Sequence, residues 1–331
     1  MTGAAPRRTG RLEAIDAGVV FRSGFGGRTA KAALKDATLS IGGDRPTIVA
    51  VVGESGSGKT TLTRLLLGFQ APTTGKVAYR GVDLTRMDGA GRRAFRREVQ
   101  AVFQDPFEVF NPFYRVDHAL FTPLKSFGIA DDRATALALI ERALETVGLR
   151  PGETLGRYPH QLSGGQRQRV MIARALLLDP HIILADEPVS MVDASLRSTI
   201  LQTLLRLKDE AGISLVYVTH DLTTAYQVAD SVVVLYAGSV VETGDVEAVI
   251  RRPRHPYTRA LVDAIPSPDP DVPWDLSATE PTEAGTGLPA TGCPFAPRCP
   301  RAAVACTGGL PPLAEIDPGR RVRCLFPLEA A

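Results

Sequence analysis

Gly53-Glu54-Ser55-Gly56-Ser57-Gly58-Lys59-Thr60 follows the apolar run Ile48–Val52 and leads into the helical pattern Leu62–Leu67. Strand, glycine-rich turn and helix in that order match G-x-x-x-x-G-K-[ST], the pattern of a phosphate cradle. Each residue type has a physical task. Gly53, Gly56 and Gly58 let the backbone curl until successive N–H groups converge on phosphate oxygens. The helix that follows turns its positive dipole end towards the same oxygens. Lys59 can reach the outer phosphates, and the Thr60 hydroxyl can ligate Mg²⁺.

Outward from this loop, short apolar runs alternate with helical patterns. Ile182–Ala185, Leu215–Val218 and Val232–Tyr236 join Ile48–Val52 as strands apolar on both faces, the signature of a covered parallel sheet. Ile140, Ala143, Leu144 and Val147 form one helical stripe, with Asp132 as its upstream cap and Gly148 as its stop. Leu196, Ile200, Leu204 and Leu207 form another. Strands alternating with helices give βαβ units and an α/β fold.

Two further elements carry charge or anion chemistry. Ile182-Ile183-Leu184-Ala185-Asp186-Glu187 ends a strand in two carboxylates. Asp186 suits Mg²⁺, and Glu187, pointing elsewhere, suits a general base for water. Leu162-Ser163-Gly164-Gly165-Gln166 opens a second helix with Ser163 as N-cap and two glycines that leave its first amides open to a ligand.

With these motifs, Gln104 in Val102-Phe103-Gln104-Asp105-Pro106 and His220, the sequence resembles the nucleotide-binding subunits of ATP-binding cassette transporters over about residues 12–262. The resemblance implies a P-loop NTPase fold with a RecA-like core, an N-terminal antiparallel β subdomain and a helical signature subdomain. It assigns nucleotide binding to Phe21, Gly53, Glu54, Ser55, Gly56, Ser57, Gly58, Lys59, Thr60, Thr61 and Gln104. Phe25 competes with Phe21 for stacking on adenine, and either could belong to the core. Mg²⁺ falls to Thr60, Gln104 and Asp186; catalysis falls to Glu187, with His220 at the γ-phosphate. Ser163, Gly164, Gly165, Gln166 and Asp193 are expected to act on the ATP of a second cassette packed head to tail. Where many relatives read Ser-Ala-Leu-Asp, this chain reads Ser190-Met191-Val192-Asp193. Phe107–Val116 lies where coupling to membrane subunits is expected.

The last quarter is a different polypeptide. Of 25 prolines, 15 fall between Pro253 and Pro327, and all four cysteines lie at or after Cys293. We expect an ATPase domain over 1–262 and an irregular Pro/Cys-rich extension over 263–331. Arg254–Leu261 and Gly292–Pro300 resemble the C-terminal extension of oligopeptide and dipeptide importer ATPases, whose close relatives also serve nickel or oligosaccharide uptake. Cys293, Cys299, Cys306 and Cys324 lack the C-x2-C spacing of structural zinc. A [4Fe-4S] cluster or another metal, or else four unligated thiols, is expected there.

The 38 basic and 36 acidic residues leave a formal +2, which gives no footprint for nucleic acid. Arg92, Arg93, Arg96 and Arg97 share one helical face and read as a solvated surface. No apolar run reaches the ~18–20 residues of a membrane span, and Met1–Leu12 is no secretory signal. The resemblance implies a setting at the cytoplasmic face of the cell membrane. Expected partners are a paralogous ATPase, two permease subunits and, indirectly, an extracytoplasmic binding protein. Two rivals are weaker. A repair or translation cassette would show a second cassette, a coiled-coil insertion or a basic surface. A P-loop kinase or GTPase would not need Leu162–Gln166.

Overall fold

The computed structural model describes residues 10–23, 29–105, 109–265 and 291–329. Phe25 and Pro106–Glu108 therefore lie outside the described residues. β1 (Leu12–Ser23), β2 (Thr29–Ile41), β4 (Thr74–Tyr79) and β5 (Val82–Asp83) form the antiparallel part. The parallel part runs β9-β3-β8-β7-β6, where β3 is Ile48–Val52, β6 Val99–Val102, β7 Ile182–Asp186, β8 Ser214–Thr219 and β9 Ser231–Tyr236.

Both faces of β3 are buried, and its side chains alternate between two cores. Ile48, Ala50 and Val52 join a core shared with the helices that follow; Val49 and Val51 join a core shared with β1, β2 and the helix Lys59–Leu66. Strand periodicity of two explains this division. It also fixes where the phosphate loop emerges: at the C-terminal end of a strand flanked by β8 and β9, the usual place for a ligand in an open α/β sheet.

The helix Arg133–Thr146 is capped as expected. The Asp132 carboxylate accepts the Thr135 N–H at 2.8 Å, and Gly148 takes a positive φ just past its end. This helix packs on the helix Gly164–Leu176, forming the helical subdomain.

The extension is less irregular than its composition implies. β11 (Ala314–Asp317) and β12 (Arg320–Val322) form a hairpin, and β12 pairs antiparallel with β10 (Ser239–Asp245) through Glu242↔Val322 and Thr243↔Arg321. Pro318-Gly319, with Gly319 at φ 73°, makes the turn. Strands this short carry too few residues for periodicity to show.

Candidate nucleotide site

Gly53 cannot carry a side chain: a Cβ there would sit 2.2 Å from the Leu235 carbonyl, at φ 153°. Gly58 likewise meets the Ala33 carbonyl of β2 at 2.8 Å, so the β1–β2 hairpin that carries Phe21 packs on the loop. Ser55, Gly56 and Thr60 are exposed, Thr61 is half-buried, and Ser57 is buried with its hydroxyl unpartnered. Gly58 caps the helix Lys59–Leu66 without a side-chain bond, which leaves the helix amides for a ligand. Lys59 is buried, and its ammonium donates to the carbonyls of Gly53 (2.6 Å) and Glu54 (2.9 Å). Burial lowers its pKa against the opposing pull of Glu187, Asp186 and Glu54. Phe21 is 46% exposed on β1, opposite Lys31, as a stacking platform would be.

The sheet brings the carboxylates to this loop. Asp186 ends β7, and its carboxyl is raised above the usual range by burial and then by Glu187, with Lys59 and Arg64 opposing. A half-buried carboxylate held against another carboxylate, with a threonine hydroxyl on the neighbouring loop, is a donor set that suits a divalent cation. Glu187 adopts the left-handed conformation at φ 45°, held by its N–H to the Val218 carbonyl and by Ser190 on its own carbonyl. A non-glycine residue there costs on the order of 1–3 kcal/mol, and such strain clusters at functional sites. The turn directs the Glu187 carboxylate between two partners. Gln104 Nε2 donates to Oε2 at 2.9 Å, and His220 Nδ1 lies 2.9 Å from Oε1. With an ionised Glu187, the His220 proton must sit on Nδ1. Sequence positions 104, 187 and 220 thus meet at one carboxylate.

The helix start at Ser163 presents its capping residue to solvent. Ser163 is exposed and forms a full capping box with Gln166: Gln166 N–H to Ser163 Oγ is 3.2 Å, and Ser163 N–H to Gln166 Oε1 is 2.9 Å. A hydroxyl that accepts in this way still has its own proton to give. The glycines have an added reason that the sequence did not supply. A Cβ on Gly165 would lie 2.6 Å from Leu196 Cδ1, and one on Gly164 would lie 3.2 Å from the Met191 carbonyl. The helix therefore abuts the turn Ser190-Met191-Val192-Asp193, where this chain departs from the common pattern. Asp193 is exposed and caps the helix Ala194–Asp209 through Leu196 N–H at 3.0 Å.

The four cysteines line one cavity with His255, Phe295 and Phe326. Cys293, Cys299 and Cys324 are half-buried, Cys306 is buried, and all four are free thiols. Burial raises the thiol pKa of Cys293, Cys299 and Cys324, and each of them also feels at least one other of the four cysteines. Among the described residues, no three His, Cys, Asp or Glu side chains are grouped to hold a metal. The four thiols share this cavity, but no grouping among the described residues supports the expected [4Fe-4S] cluster. The four arginines, Arg92, Arg93, Arg96 and Arg97, are exposed as expected, with Arg93 stacked over Phe127.

One set of contacts was not anticipated. Tyr257 and Arg298, both from the C-terminal segments, bind Glu54 of the phosphate loop. Both lie in stretches whose resemblance is visible in the sequence, but nothing local links them to residue 54.

A family profile described as ABC transporter matches residues 34–190, and one described as oligopeptide/dipeptide transporter, C-terminal region, matches residues 241–306. An ATP-binding protein of Brucella ovis named for peptide import is 41% identical over 281 residues, covering 85% of this chain and 88% of the relative. A dipeptide transport ATP-binding protein of Haemophilus influenzae is 39% identical over 287 residues, covering 85% of each chain. Among solved structures, a dimeric ATP-binding cassette in a post-hydrolysis state with ADP and Pi superposes with a TM-score of 0.64 at 29% identity. It covers 71% of this chain and 98% of that one.

Proposed function

We propose that this chain, which belongs to the ATP-binding subunits of ABC transporters, hydrolyses ATP to drive import of oligopeptides or dipeptides through separate membrane subunits. What carries the catalytic part is the Glu187 carboxylate, bridged by Gln104 and His220 and electrostatically coupled to Lys59. The loop Gly53–Thr61 holds the phosphates, with Phe21 beneath the adenine. Glu187 accepts a proton from the attacking water, and His220 faces the γ-phosphate. Thr60, Asp186 and Gln104 would hold Mg²⁺, which would supply charge neutralisation at the phosphates.

A second cassette completes the site. The exposed Ser163 hydroxyl and the helix start at Gly164, Gly165 and Gln166 act on the partner's ATP, and Asp193 communicates across the seam. Binding across that seam closes the dimer, and loss of the γ-phosphate reopens it. The partner is a paralogue, both cassettes sit under two permease subunits at the cytoplasmic face of the membrane, and an extracytoplasmic binding protein delivers cargo. No helix among the described residues is long and apolar enough to cross a membrane, which supports separate permeases. Residues 1–262 are the cassette and 263–331 the extension; the cofactor set is ATP and Mg²⁺.

Uptake by cells carrying the parental protein or Glu187→Gln tests the whole reading. Labelled di- and tripeptides should enter only with the parent; unchanged peptide uptake with Glu187→Gln would overturn it. Uptake of nickel or oligosaccharide instead would replace the cargo and leave the ATPase standing.

A further inference from the structure

We propose that Arg298 and Tyr257 are positioning residues of the phosphate loop, and that through Glu54 the C-terminal extension sets the affinity for ATP. Glu54 is held at three points. Its N–H donates to the Tyr257 hydroxyl at 2.9 Å. Its carbonyl accepts the Lys59 ammonium at 2.9 Å and the Ser57 N–H at 3.1 Å. Its carboxylate takes a forked pair from Arg298, with Nη1–Oε2 at 3.0 Å and Nη2–Oε1 at 3.1 Å. The residue that shapes the cradle for Lys59 is thus fixed by Tyr257 at the end of the cassette and by Arg298 of the extension.

Both anchors pack on aromatic rings. Tyr257 is fully buried, with ring centroids 4.4 Å from Tyr236 and 5.5 Å from Phe295. The Arg298 guanidinium lies 5.8 Å from the Tyr236 ring and 5.6 Å from the Phe295 ring, with Nη1 3.5 Å from the Tyr236 hydroxyl. A guanidinium stacked on aromatic faces loses little freedom when it forks to a carboxylate.

Electrostatics gives the contact its sign. A triphosphate brings several negative charges to a loop that already carries the Glu54 carboxylate. Arg298 neutralises that carboxylate, and Glu54 in turn raises the Arg298 pKa. Without the arginine, nucleotide must bind beside an uncompensated anion. A strut that merely held the extension in place would give no such dependence on the charge at residue 54.

The inference rests on the loop being the ATP site, so titration of the parental full-length chain with Mg-ATP comes first. If the parent binds no ATP, the functional reading fails. With a binding parent, Arg298→Ala should weaken ATP about five- to tenfold, raising KM while kcat stays within about twofold. Arg298→Ala/Glu54→Gln should return to within about threefold of the parent, because the lone carboxylate is gone. Tyr257→Phe keeps the ring, leaves the Glu54 N–H without its acceptor, and should weaken ATP about threefold or more. The inference is overturned if Arg298→Ala binds as the parent does, or if its loss persists in full in the double variant. Should Arg298→Ala fail to fold, Tyr257→Phe decides: parental affinity overturns the proposal, and weakened affinity upholds it.

Discussion

Arg320 Nη2 donates to Glu242 Oε1 at 2.6 Å, and the two side chains are 7% and 0% exposed. This pair joins the extension to β10 of the cassette. Glu242 also accepts the N–H groups of Arg254 (3.0 Å) and His255 (2.8 Å), so one carboxylate gathers β10, β12 and the segment leading to Tyr257.

A buried ion pair adds little over an apolar replacement, but breaking one side strands a charge. Arg320→Met should therefore lower stability by about 3 kcal/mol or more, read from urea unfolding of the full chain. Glu242→Gln/Arg320→Met should recover about half of that loss or better. A single variant as stable as the parent would show that Glu242 is compensated elsewhere.

Glu187→Gln keeps the shape of the side chain and removes its basicity. Steady-state hydrolysis should fall about a hundredfold or more, while ATP affinity stays within a few-fold. Chromatography with ATP should show the variant as a lasting dimer, because the step that reopens the seam is lost. Parental turnover would remove Glu187 from the role of base.

Gly53→Ala tests the loop geometry. A methyl group would meet a backbone carbonyl of β9, which has no rotamer to yield, at a φ that L-residues rarely adopt. We expect a loss of roughly 2 kcal/mol or more in stability together with loss of ATP binding. By contrast, Gly56→Ala meets no atom within 4 Å, so its cost is limited to its positive φ of 78°. Thermal melts with and without Mg-ATP would rank the two.

His255 makes stability depend on pH. Burial pushes its pKa down from 6.5 to about 4, and its Nδ1 accepts the Tyr257 N–H at 3.0 Å. The folded state holds the imidazole neutral, whereas the unfolded chain takes up a proton below about 6.5. Stability is thus present in full above pH 6.5 and is lost as pH falls towards 4, by on the order of 3 kcal/mol. His255→Asn keeps an acceptor for the same N–H without the titration. Denaturant unfolding at pH 7 and pH 4.5 should therefore show a smaller acid loss in the variant than in the parent.

Much of the site was legible because its signals are local. Ile48–Val52, the glycine loop and the helix start occupy consecutive residues, and the strand and helix periods declare themselves within a few turns. Asp132 and Ser163 as N-caps follow from their places just before helical runs. The extension misled composition: proline density implies irregularity, yet β12 completes an edge of β10. The cysteines were legible only in part: their number and spacing left ligation open, and only the fold shows that all four line one cavity.

By itself the sequence determined the strand–loop–helix cradle, the order of the nucleotide motifs and the family to which they belong, because those features depend on short backbone stretches. Only the tertiary structure decided that Glu54 answers to Arg298 across 244 positions, that Gln104 and His220 share one carboxylate, and that Gly165 is small to admit Leu196. The physical reason is that side-chain electrostatics and packing act over a few ångströms of space, and the chain's path through the sheet, not its numbering, sets which side chains come that close.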